Sequence, residues 1–184
     1  MKKVIYVPGF IGKPKDTRVI KPALVNFEFI YFDYDTSLKE PLDKIARKLK
    51  RFINNLKLGE CEKIDIIGFS AGGVISDYYL KFLDKTKVEK FVSIHSPFKG
   101  TYLASLSKTR KGLQQLKPKS SFLNKLSKKK LTCIKTKNIY SKFDPIVPGD
   151  SGGGVNSKSH SFFIHPYAML WKPVVREVKK FLEE

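Results

Sequence analysis

The sequence predicts an α/β fold: one domain over residues 1–184, with a mainly parallel sheet of about six strands flanked by helices. Two observations predict it. Short β-branched or aromatic runs alternate along the chain with apolar patterns of helical period. The residues best suited to chemistry (Gly9–Gly12, Ser70, Ser96–Gly100, Asp144 and His165) each directly follow a predicted strand. In a parallel sheet these positions share one rim, beyond the carboxyl ends of the strands, where ligands bind. A length of 184 residues with 41% hydrophobic content suits a single domain with a sizeable core.

The elements follow in order. Lys3–Val7 reads as a first strand and runs into the glycine-containing loop Pro8–Gly12, whose N–H groups can point at a ligand. Asp16–Leu24 suits a short helix weakened by Pro22. Phe27–Tyr34 is an aromatic-rich strand. Over Ser37–Leu58, Leu38, Leu42, Ile45, Leu49, Phe52, Ile53 and Leu56 recur at helical spacing, with Gly59 expected to end that helix. Ile64–Ile67 is a buried strand and Val74–Leu83 a helix. Val88–His95 is the next strand. Phe98–Lys130 is a polar, basic excursion, too long for a turn, with short helices expected at Tyr102–Ser107 and Ser121–Leu126. Leu131–Tyr140 returns to a strand. Asp150–Ser159 reads as a glycine- and serine-rich loop, Ser161–Ile164 as a last strand, and Pro173–Leu182 as a last helix with proline in its first turn.

Composition narrows the function classes. No apolar run is long enough to span a bilayer. Pro8-Gly9 ends the apolar N-terminal run before it reaches the length of a signal-peptide core, so a cytoplasmic location is expected. Cys61 and Cys133 each precede a predicted strand. If a third strand lies between those two, the cysteines stand too far apart for a disulfide, and free thiols are expected. No metal-ligand spacing or cofactor fingerprint is present, so the expected chemistry needs neither.

The formal net charge is +19. No Asp or Glu occurs between Phe91 and Lys142, a window rich in lysine. Two readings compete: solvated lysine-rich faces, or a patch facing an anionic substrate or an anionic surface. Only five of the 36 basic residues are Arg, the residue suited to bidentate phosphate and base contacts. No nucleic-acid-binding module is legible either, which argues against a nucleic-acid partner.

The stretch with the sharpest chemistry is Gly68-Phe69-Ser70-Ala71-Gly72, a G-x-S-x-G pattern between a buried strand and a helix. That context places a serine on a sharp turn with its hydroxyl clear of the sheet. The glycines are needed because strand end and helix start approach too closely for a Cβ. The Ala71 N–H then lies at a helix N-terminus, where it can stabilise an oxyanion, and the Phe10 N–H after the first strand is the expected second donor. The competing interpretation is a glycine-rich turn with a bystander serine.

A serine hydroxyl needs a base, and the base an orienting carboxylate. The chain has three histidines. His165 lies between the last strand and the last helix, His95 ends the fourth strand, and His160 precedes the last strand at what should be the opposite rim. Position favours His165, with His95 and His160 as alternatives. Asp144 follows the penultimate strand and gives the order Ser, Asp, His. Asp150 is the alternative acid, and an Asx-turn before Pro145 is the ordinary role for Asp144.

These residues resemble the lipase/esterase branch of the α/β-hydrolases, especially its small bacterial lipase-like members, over nearly the whole chain. Val7–Gly12 resembles the V-H-G-F-x-G oxyanion loop. Ile67–Val74 with Tyr78-Tyr79-Leu80 resembles G-H-S-M-G-G-L-V-A-R-Y-Y-L. Ser96–Thr101 resembles T-P-H-x-G-T, Leu116–Leu123 resembles L-x-P-G-S-x-F-L, and Asp144–Pro148 resembles D-x-V-V-P. The resemblance implies Ser70 as nucleophile, Asp144 as acid and His165 as base, in hydrolysis of carboxylic esters through an acyl-serine. Pro8, Phe69 and Phe98 replace family histidines, which implies a more apolar pocket. Phe69, Phe98 and Tyr102 are the expected substrate-binding residues, with 98–130 as a basic, lid-like cover and a small ester, neutral or anionic, as substrate. The same triad serves thioesterases, acyltransferases and amidases, and the fold also supports non-catalytic binding proteins.

Overall fold

The computed structural model describes residues 1–148, 157–161 and 165–184. Six strands form one parallel sheet: β1 (Lys2–Val7), β2 (Phe27–Tyr31), β3 (Ile64–Phe69), β4 (Val88–Ile94), β5 (Lys135–Ser141) and β6 (Ser157–His160). Their spatial order is β2-β1-β3-β4-β5-β6, every neighbouring pair parallel. The chain reverses its direction of travel across the sheet between β1 and β3. The crevice beyond their carboxyl ends is therefore the natural ligand site.

Helices cover both faces. Alternation along the strands sends Ile5, Val7, Ile64 and Ile66 to one face, where α2 (Leu42–Asn55) and α3 (Ala71–Phe82) pack. Val4, Tyr6, Ile67, Val92 and Ile94 go to the other, against α1 (Ile20–Ala23) and α6 (Lys172–Glu183). Both cores are apolar because a parallel sheet is buried on both sides.

Several boundaries differ from the sequence reading, each for a local reason. The first long helix begins at Leu42, not Ser37. Pro41 disfavours helix for the residue before it, and Leu38 takes a positive φ of 55°. The helix ends at Asn55 with an extended Leu56 as its cap, so Gly59 is not the terminator; its N–H instead donates to Glu62 at 3.1 Å. β5 starts four residues later than Leu131, in register with Lys90 of β4. Asp16–Leu24 divides into a 3₁₀ turn at Pro14–Thr17 and the short α1. The last strand is Ser157–His160, earlier than Ser161–Ile164, of which residues 162–164 lie outside the described residues. Cys61 and Cys133 are free and exposed.

The basic excursion, expected as a lid-like cover, docks on the core through its helices. Its α4 (Lys111–Gln115) and α5 (Ser121–Lys128) bury Leu113, Leu116, Phe122, Leu123 and Leu126 in the core shared with α2 and α3. Gln115 accepts the Leu42 N–H and donates to Asp43 at 3.1 Å, supplying the N-cap that Pro41 cannot. Scattered leucines read as sparse in the sequence because the excursion presents one narrow apolar face. Among the described residues no helix is long and apolar enough to cross a membrane.

The tightest backbone packing is at the start of α3. A Cβ on Gly72 would stand 2.0 Å from the Val7 carbonyl oxygen, and one on Gly68 would stand 2.5 Å from the Gly73 Cα. Neither neighbour is a side-chain end that can swing away. Gly72→Ala is expected to destabilise the fold by about 3 kcal/mol or more and to lower Tm by roughly 10 °C, read by urea and thermal unfolding.

Candidate active site

β3 ends in a turn that holds Ser70 at φ 52° and ψ −122°. That region is costly for a residue with a Cβ and persists only where the surroundings enforce it. The enforcing contacts are the glycine approaches just described and the Ser70 N–H, which donates to the Ile94 carbonyl at 2.8 Å. The hydroxyl consequently points out of the turn, at the N-terminus of α3.

The hydroxyl meets a base. Ser70 Oγ lies 2.9 Å from His165 Nε2, and His165 Nδ1 lies 2.6 Å from Asp144 Oδ2. His165 opens a 3₁₀ segment, His165–Leu170, that joins the sheet to α6. Asp144 sits in a loop after β5, where its Oδ1 accepts the N–H groups of Ile146 and Val147 at 2.8 and 2.9 Å. The Asx-turn role and the orienting role thus fall on different oxygens of one carboxylate. Asp150, the alternative acid, lies outside the described residues.

The other histidines are near neighbours rather than competitors. His95 Nδ1 lies 2.6 Å from the same Asp144 Oδ2, and His95 Nε2 lies 2.9 Å from His160 Nε2. His160 is therefore on the rim of the site and not opposite it. It closes β6 instead of preceding the last strand, which the early start of that strand explains. The His160 ring also packs on Trp171, with centroids 4.8 Å apart. The spacing pattern of the sequence carried no signal for this cluster beyond the placement of His95 at a strand end.

Electrostatics follow the contacts. Burial pushes the Asp144 pKa up, but hydrogen bonds from His165 and His95 outweigh it and hold the carboxyl well below its ordinary range. Burial lowers the His95 pKa, against the opposing pull of Asp144. Burial and the neighbouring His95 push His160 down to about 4. His95, Asp144 and His165 also bring ligand atoms within 4.8 Å of one another. At 2.6 Å each Nδ1 is in direct hydrogen-bonding contact with the carboxylate.

The loop after β1 is pinned beside Ser70. Tyr34 Oη donates to the Pro8 carbonyl at 2.8 Å, Ile11 N–H to Thr36 at 3.0 Å, and Gly12 N–H to Gly9 at 3.1 Å. A Cβ on Gly9 would stand 2.8 Å from the Ser70 Cβ, so the loop and the turn are in contact. The Phe10 and Ala71 N–H groups donate to no backbone carbonyl of a described residue.

A cavity of about 600 Å³ opens over Ser70. Phe69 lines it, its ring centroid 5.3 Å from that of His165. Phe98 and Tyr102 do not: Phe98 packs against the α2–α3 core and Tyr102 is exposed. The apolar wall comes instead from Phe10, Ile11, Leu103, Ile146, Tyr167 and Leu170, and the mouth carries Lys13, Lys15, Asp16 and Arg18. Of the excursion, only Leu103 reaches the cavity among its described lining. Ile146 and Tyr167 lie two residues after Asp144 and His165, so proximity to those residues was a usable signal; Lys13, Lys15 and Arg18 carried none.

A family model described as palmitoyl protein thioesterase matches residues 22–143, a span that includes Ser70 and ends before Asp144. No curated protein matches the sequence. Among solved structures, bromoperoxidase from Bacillus anthracis superposes with a TM-score of 0.76 at 16% identity, covering 100% of this chain and 92% of that one. Lipase BlEst2 from Bacillus licheniformis, in its mature form, gives 0.71 at 13% identity, covering 98% and 91%. Phospholipase PlaB from Legionella pneumophila gives 0.64 at 16% identity and covers 77% of this chain; the chain spans only 39% of that protein's length. At these identities the likenesses establish the fold, an α/β-hydrolase fold.

The histidine shifts have a stability consequence. A group held neutral in the fold but free to protonate when unfolded contributes stability above its unfolded pKa, lost as pH falls toward its folded pKa. For His160 that window runs from 6.5 down to about 4. Thermal melts are expected to show Tm falling as pH drops through this window, with a shallower fall in His160→Phe.

Proposed function

We propose that this chain, which belongs to the palmitoyl protein thioesterase family of α/β-hydrolases, is a serine hydrolase that cleaves carboxylic esters through an acyl-serine. The observation that carries the proposal is the unbroken succession Ser70 Oγ, His165 Nε2, His165 Nδ1, Asp144 Oδ2 at 2.9 and 2.6 Å.

An ionised carboxylate only accepts hydrogen bonds, so Asp144 requires the proton of a neutral His165 on Nδ1 and leaves Nε2 as the acceptor for the Ser70 hydroxyl. Ser70 Oγ attacks the acyl carbon and its proton passes to Nε2. The carbonyl π electrons move to oxygen, and the Phe10 and Ala71 N–H groups stabilise that oxyanion. On collapse, the C–O bond to the alcohol breaks and Nε2–H gives its proton to the leaving oxygen. Water then enters on the same base, and a second tetrahedral intermediate releases the acid and restores the serine hydroxyl. Phe69 and the apolar wall would take the acyl chain.

A second substrate class has its own support. The family match is to thioesterases, and the mechanism is unchanged when sulfur leaves in place of oxygen. A panel of chromogenic acyl esters, thioesters and amides separates the classes. The serine mechanism is tested by fluorophosphonate labelling: the wild type should label, and Ser70→Ala should neither label nor retain more than about 10⁻⁴ of the wild-type kcat. Full activity in Ser70→Ala would rule the mechanism out.

The charges at the cavity mouth favour one class of ester. Lys13, Lys15 and Arg18 stand at the mouth with Asp16 as the acid among them, and Asp16 Oδ2 already accepts the Lys13 N–H at 2.8 Å. The mouth therefore favours an ester that carries a negative group. For the double variant Lys13→Glu, Arg18→Glu, kcat/KM on an anionic ester should fall roughly tenfold, while that on a neutral ester of equal length changes less than about twofold. Equal loss on both esters would assign the cations no part in selectivity.

A further inference from the structure

His95 does more at this site than fill space. It follows β4, is 1% exposed, and holds a positive φ of 49°, as Ser70 does at the end of the neighbouring strand. A buried β-strand terminus has no need of this strained conformation. The strain places the ring so that Nδ1 reaches Asp144 Oδ2 at the same 2.6 Å as His165 Nδ1, the two rings standing edge to face with centroids 5.5 Å apart.

Proton bookkeeping around the cluster has one consistent solution. Asp144 is ionised and accepts only, so both facing Nδ1 atoms carry protons. Burial keeps His95 neutral, which leaves its Nε2 as a lone pair. The contact of 2.9 Å to His160 Nε2 then requires the proton to sit on His160. Asp144 thus receives four donors: Ile146 and Val147 N–H on Oδ1, and two imidazole N–H groups on Oδ2. A carboxylate offers about four lone-pair sites, so this one is saturated. It can neither turn about its χ2 nor admit a water without breaking a charge-assisted bond.

Resting on the hydrolase reading above, we propose that His95 is a positioning residue: held from behind by His160, it donates a second N–H to Oδ2 of Asp144 and fixes the carboxylate against which His165 is oriented. Removing that donor leaves the base less well aimed, so kcat falls with KM nearly unchanged. Rescue by a side chain that restores one N–H to Oδ2 separates this effect from a packing defect.

Two measurements test it. Histidine-selective ¹⁵N NMR of the wild-type protein reads the tautomers: His95 and His165 as Nδ1–H, His160 as Nε2–H. A His95 that carries its proton on Nε2 overturns the proposal, whatever the protein hydrolyses. Fluorophosphonate labelling of the same sample is independent, and its absence refutes the hydrolase reading while leaving the tautomer result standing. In kinetics, His95→Leu keeps bulk but donates nothing, whereas the amide of His95→Asn presents an N–H close to the Nδ1 position. The leucine variant is expected to lose kcat roughly ten- to hundredfold with KM nearly unchanged, and the asparagine variant to recover most of the loss. Equal losses in the two variants, or wild-type kcat in His95→Leu, overturn the proposal; if the leucine variant does not fold, the NMR result decides.

Discussion

One buried carboxylate ties this structure's working rim together. The Asp144 side chain is 1% exposed, and a charge withdrawn from water is tolerable only when donors replace the water. Those donors come from separate parts of the chain: the loop after β5 itself, His95 at the end of β4, and His165 at the entry to α6. Through His165 the same charge reaches Ser70 at the end of β3. Satisfying one anion therefore sets the relative positions of three strand ends and the segment leading into the last helix.

The second constraint is steric and acts from the sheet side. β1, β3 and the start of α3 approach closely enough that the Val7 carbonyl lies where a Gly72 Cβ would be. This approach places the loop after β1 against the Ser70 turn, where a Gly9 Cβ would stand 2.8 Å from the Ser70 Cβ. Two apolar cores, one on each face of the sheet, hold the layers rigid enough to sustain positive φ at both Ser70 and His95. Strain of that kind is stable only because the packing around it over-determines the backbone.

The charge of +19 resolves into local situations. Lys125 and Lys129 both lie over the Phe82 ring, with Nζ 5.1 and 4.8 Å from its centroid. Lys2 lies 2.9 Å from the buried Asp65 of β3. The acid-free excursion buries Leu113, Leu116, Phe122, Leu123 and Leu126 in the core, and none of its described lysines lines the cavity. The cations at the cavity mouth belong to residues 13–18, the stretch Lys-Pro-Lys-Asp-Thr-Arg that follows the glycine-containing loop after β1.

The sequence by itself determined the α/β class, the strand-turn-helix around Ser70, and the chain order of Ser70, Asp144 and His165. Each of these is written locally, in residue period, in glycines that permit close approach, or in position after a strand. Only the tertiary structure decided the rest. Whether Phe98 and Tyr102 line the cavity depends on how the excursion docks, and it docks on α2 and α3 through leucines too sparse to read as a face. His160 shares the site because β6 pairs with β5 through Ser157–His160, a register set by the partner strand and not by propensity. The double donation to Asp144 required both facts together, since no local pattern records which side chains from distant strand ends meet on one oxygen.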